Sequence, residues 1–171
     1  MKKHSLMAPV LAAVLLAGLL TAGFGEAKNK NTASLAGAWK GGVTGTSGWL
    51  ADMKGLAFMY VFNADGTMTE SSNFDAFPPG PPAYGVWRKV GERQFEARYE
   101  VFLTKALLIM DELAKGNGWV PNGYGVLTQK MTLSTDGDSF ESTLKFELFD
   151  QQGKPMEGGG DATAQGKRMK F

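Results

Sequence analysis

The chain has 171 residues, with 18 lysines and arginines against 17 aspartates and glutamates, a formal charge of +1 and no cysteine. Near-neutrality leaves no basic field to recruit nucleic acid or anionic lipid. The missing cysteines exclude disulfides and thiolate chemistry, so the domain must hold together through its own core.

The first element in chain order is a leader. Met1, Lys2, Lys3 and His4 form a short positive segment, and Leu6 to Leu20 is an uncharged run rich in Ala and Leu. That run is shorter than the roughly 20 residues a membrane-spanning helix needs, and Gly25-Glu26-Ala27 after it offers the small-x-small pattern of a signal-peptidase site. We read residues 1–27 as a cleavable signal peptide, 28–34 as a flexible segment and 35–171 as one β-barrel domain. The expected location is the periplasm or the outside of the cell. With no cysteine at the cleavage point the chain is not a lipoprotein, and no stable membrane insertion is expected after cleavage.

Cleavage after Ala27 would remove the only histidine, His4, and leave sixteen basic and sixteen acidic residues. Without His or Cys the remaining chain lacks Ser-His-Asp and Cys-His machinery and imidazole ligands for zinc or copper. Any catalysis falls to carboxylates, Tyr, Lys, Arg or backbone groups. No cofactor and no metal site are expected, and the balance tilts away from an enzyme.

From Leu35 onward the pattern has period two, the mark of half-buried antiparallel strands. Phe140, Ser142, Leu144, Phe146 and Leu148 alternate with Glu141, Thr143, Lys145 and Glu147. Phe95, Ala97, Tyr99, Val101 and Leu103 alternate with Glu96, Arg98 and Glu100, and Phe102 interrupts that polar face. Turn chemistry falls at 63–66, 90–93, 135–138 and 150–153, where Gly permits positive φ and Asn or Asp braces the turn. About eight strands follow, near 36–44, 55–63, 66–73, 83–90, 94–104, 123–134, 139–149 and 160–170. Consecutive hairpins imply a meander. The predicted fold is all-β, a single antiparallel up-and-down barrel, with a two-sheet sandwich as the alternative.

Two segments depart from the meander. Phe77 to Pro82 reads as a stiff extended connector, because its prolines cannot donate to a ladder. Lys105 to Asn122 is too long for a hairpin turn, and a short helix over 105–115 is expected from Leu107, Met110 and Leu113 on one face. This second segment is the expected contact surface if the chain has a protein partner. Gly41-Gly42 and Gly158-Gly159-Gly160 lack the strand, turn, helix and lysine of a phosphate loop, and are read instead as sites of bending or close backbone approach.

Gly37-Ala38-Trp39 at the start of the first strand, with Arg168 in the last, resembles the lipocalins and the wider calycin group. Phe62-Asn63-Ala64-Asp65-Gly66-Thr67 and Gly85-Val86-Trp87-Arg88 are similar to small secreted bacterial lipocalin-like proteins of unassigned function. The resemblance implies that Trp39 packs across the closed end of a barrel and that Arg168 lies over its ring. Both roles are structural.

A barrel of this kind should be lined by one parity of each strand, and Phe58, Tyr60, Tyr99, Val101, Leu144 and Phe146 are the candidate ligand-binding residues. They suit a small hydrophobic or lipid-like molecule oriented by the two phenols. The bland alternative is that the same residues fill the barrel and leave no cavity. The competing functions are a cofactor-free isomerase or cyclase, with Tyr60, Tyr99 or a buried Glu supplying the proton, and an envelope interaction module acting through 105–122. Arg88 would be an anion anchor if its parity placed it inside.

Overall fold

The computed structural model describes residues 33–75, 80–106, 111, 115 and 118–171. The expected leader and its cleavage site therefore lie outside the described residues, as do the first half of the Pro-rich connector and most of the centre of the 105–122 segment with its expected helix.

Eight strands follow one another: β1 (Gly37–Gly45), β2 (Ala57–Phe62), β3 (Thr67–Ser72), β4 (Ala83–Lys89), β5 (Gln94–Ala106), β6 (Trp119–Leu133), β7 (Ser139–Phe149) and β8 (Pro155–Arg168). Each pairs antiparallel with the next, and β8 returns to β1, so the sheet is a closed up-and-down barrel and not a sandwich. Closure leaves no free edge for another chain to extend. A single 3-10 turn, Gly48–Asp52, interrupts the β1–β2 connection.

The turns form where their chemistry indicates. Asp65 accepts hydrogen bonds from the Thr67 amide and hydroxyl, and Gly66 takes φ +90°. Ser134 and Asp136 brace the β6–β7 turn in the same way, with Gly137 at φ +78°. The central strands run further than alternation suggested. Lys105, Ala106 and Trp119 to Asn122 are strand residues: the register steps from Leu103–Gly123 to Thr104–Pro121, so Asn122 is the extra residue of a bulge in β6, and Pro121, which has no amide to donate, sits beside that break in the ladder.

The core is the inner face of the barrel. Large rings sit against inward glycines of the neighbouring strand: Phe58 faces Gly41, Phe140 faces Gly166 and Phe146 faces Gly125. A Cβ on Gly166 or Gly125 would lie 2.3 Å from a ring atom, so this large-against-small pairing fills space that two side chains could not share.

Candidate functional site

One end of the barrel is shut. The Arg168 guanidinium stands 4.2 Å from the centre of the Trp39 ring, whose Nε1 donates to the Leu35 carbonyl at 2.8 Å. Arg168 also donates to the carbonyls of Gly137, Ala36 and Ser34 at 3.0, 2.7 and 2.8 Å, so its donors are fixed by backbone and its face is left for the indole. Gly37 has φ +131°, and a Cβ there would come within 2.8 Å of that guanidinium. The geometry thus accounts for both the Gly and the Trp of the motif. Phe140, Phe62, Phe95, Leu133 and Leu35 complete the plug, all buried.

The other end is open in a specific sense. Val43, Val101, Leu103, Leu127 and Leu148 point inward but are only partly buried, unlike the residues below them. The 3-10 turn leans over one side of this mouth. Leu50 is buried in the core and Trp49 stacks on Phe146 with ring centres 6.2 Å apart. The turn can seat there because Gly158, Gly159 and Gly160 all have positive φ, and Gly159 and Gly160 pass so close to Gly48 and Ser47 that Cβ atoms would collide. Ser47 and Asp161 lock the contact by a 2.8 Å hydrogen bond. The glycine run therefore serves close backbone approach.

Between plug and mouth lies a chain of polar groups. Tyr60 and Tyr99 are within 3.0 Å of each other through their hydroxyls, Tyr99 lies 3.3 Å from Gln129 Oε1, Gln129 Nε2 is 2.7 Å from Ser142 Oγ, and Ser142 reaches the Ala164 carbonyl at 3.2 Å. The last acceptor sets the direction of the whole chain. A carbonyl can only accept, so Ser142 donates to it and receives from the Gln129 amide, which turns Oε1 toward Tyr99. Tyr99 then donates to Gln129, and Tyr60 donates to Tyr99. Burial raises both phenols well above their ordinary range, with nearby Glu70 adding to the effect, so both remain protonated.

Glu70 is the residue that breaks the pattern. It shares the inward parity of buried Met68 on β3 and stands directly across from Tyr60 on β2 and Ala83 on β4. Its carboxyl is half-buried near the mouth. Desolvation, then the charge of Asp75, pushes its pKa up to about 8. Asp75 itself accepts from the Ser72 amide and hydroxyl, each at 2.7 Å. No hydrogen bond or ion pair from a described residue reaches the Glu70 carboxyl.

The six candidates from the sequence all line the interior. Phe58, Tyr60, Tyr99, Leu144 and Phe146 are buried and Val101 is partly exposed at the mouth. They do not form one cluster of equal depth: Tyr60 and Tyr99 meet in the polar chain, with Phe58 stacked on Tyr60 at 4.1 Å, while Phe146 and Val101 lie nearer the rim. Arg88 faces outward in an ion pair with Glu96 at 2.6 Å and anchors nothing inside. Glu70 and Gln129 went unnoticed, although Met68-x-Glu70-x-Ser72 and Leu127-x-Gln129-x-Met131 carry the inward parity plainly. Among the described residues no group of three or more His, Cys, Asp or Glu is placed to hold a metal. In comparison with known proteins, no family model and no curated protein matches this chain.

Proposed function

We propose that this chain is an exported lipocalin-like barrel that binds a small hydrophobic or lipid-like molecule through its open end. The observation that carries the reading is the asymmetry of the interior. One end is plugged by Trp39, Arg168 and aromatic rings, while partly buried Val101, Leu103, Leu127 and Leu148 surround the other. Inward apolar side chains left partly in water at one end of a barrel are the surface that a ligand would dehydrate. The leader gives the setting, periplasm or exterior.

The test is binding of an apolar dye such as ANS and its displacement by a panel of aliphatic ligands. Dye binding should fall at least tenfold in Leu127→Arg, which puts a charge on the inner wall, while circular dichroism stays that of an all-β fold. Equal binding by wild type and Leu127→Arg, or none by either, overturns the reading.

A second reading is favoured by one observation, the pairing of Glu70 with Tyr60 across β2 and β3. A carboxyl of raised pKa beside a phenol is what a cofactor-free isomerase or cyclase would use for acid–base chemistry. Turnover of a hydrophobic substrate that disappears in Glu70→Gln, with binding retained, would favour it.

A further inference from the structure

We infer that Glu70 is a ligand contact, and that the molecule it receives is a primary amine with an apolar tail, the ammonium group seated against this carboxylate below the rim of the barrel. The inference rests on the proposed binding at the open end and names its ligand class.

Three features of the site point to a cation. First, Glu70 is the one carboxyl on the inner wall among the described residues, and none of them pairs with it; a buried charge without a partner is costly. Second, the described residues that face it bring no positive charge. Tyr60 lies across on β2, Ala83 across on β4, Tyr99 further round on β5, and Ser72 and Asp75 follow on its own hairpin. Asp75 adds a second negative charge, so the potential in this part of the mouth favours a cation and disfavours a carboxylate ligand. Third, Phe58 and Tyr60 stack beside this position, and Tyr99 meets Tyr60 edge-on at 5.9 Å. Aromatic rings stabilise an ammonium group near their faces. The polar chain sharpens the assignment: Tyr60 and Tyr99 have both committed their protons, so Glu70 is left as the group that can exchange one.

The proton balance gives the inference a signature. An ammonium ligand is attracted to ionised Glu70, so binding below about pH 8 must expel the Glu70 proton to solvent while the amine keeps its own. Affinity for the amine therefore climbs with pH, by up to tenfold per unit, and levels off above about 8. An alcohol of equal length releases no proton and shows no such climb.

The experiment is calorimetric titration of the full, processed chain with octylamine, octanol and octanoate at pH 6, 7 and 8, in buffers of different ionisation enthalpy. We expect octylamine to bind at least tenfold more tightly than octanol at pH 8, with proton release at pH 7, and both effects to vanish in Glu70→Gln. If octanol or octanoate binds as well as octylamine, or Glu70→Gln keeps the preference, the amine assignment is overturned while binding at the mouth stands. If none of the three binds, the binding reading itself fails. Leu127→Arg serves as the variant that should lose all three.

Discussion

Arg168 stands over the Trp39 ring at 4.2 Å while its nitrogens hold the carbonyls of Ser34, Ala36 and Gly137. The residue thus ties the segment before β1 and the β6–β7 turn to the end of β8, and closes the barrel where its first and last strands meet. Arg168→Lys keeps the charge but cannot bond several carbonyls and cover the indole together. We expect it to cost about 1–3 kcal/mol, close to the penalty for buried carbonyls left unmatched. Trp39→Ala should cost about 3–5 kcal/mol, as for other large rings removed from a core. Urea unfolding followed by circular dichroism measures both.

The direction of the buried hydrogen-bond chain makes its two phenols unequal. Removing the Tyr99 hydroxyl strands the Gln129 oxygen and leaves Tyr60 without an acceptor, whereas removing the Tyr60 hydroxyl takes only a donor from an oxygen that still donates onward. Tyr99→Phe should therefore destabilise by about 1–3 kcal/mol and Tyr60→Phe by about 0.5–1.5 kcal/mol. Equal costs in paired denaturation curves would show that the chain has no fixed polarity.

Glu70 makes stability depend on pH in the opposite sense to an ordinary paired carboxylate. Its pKa in the folded protein is about 8, above the ordinary 4.5, so the folded state holds this proton more tightly than the unfolded state. The stability this gives is complete below about pH 4.5, is lost as pH rises toward 8 and does not fall further beyond it. Glu70→Gln removes the dependence. At pH 8 the variant should be more stable than wild type by about 1–3 kcal/mol, after allowing for solvent screening at a half-open site, and the difference should close near pH 4. A variant less stable than wild type at pH 8 would mean that the carboxyl has a stabilising partner.

The architecture was legible because period-two alternation and glycine-bearing turns act locally, and a meander needs only neighbours in sequence to pair. Trp39 and Arg168 were legible through the resemblance, although they are 129 positions apart and no local pattern joins them. The strand from Trp119 was missed because Pro121 reads as a strand breaker, and only a bulge at Asn122 in the same strand interrupts the ladder beside it. Glu70 and Gln129 were passed over for a different reason. Polar residues at inward positions look like errors in an apolar stripe until the partners appear, and Tyr99 and Ser142 reach Gln129 from the strands on either side of it, with Ser142 handing on to the Ala164 carbonyl. For Glu70 no such partner exists among the described residues, and that is what marks it as the candidate contact.

The ionisation of Glu70 in the ligand-free protein tests the account most directly. With 13C-labelled glutamate, the Glu70 carboxyl resonance, assigned by its loss in Glu70→Gln, should titrate with a midpoint of about 8. A midpoint near the ordinary 4.5 would place the carboxyl in open water or beside a cation, and would contradict an unpartnered acid held in the mouth of the barrel.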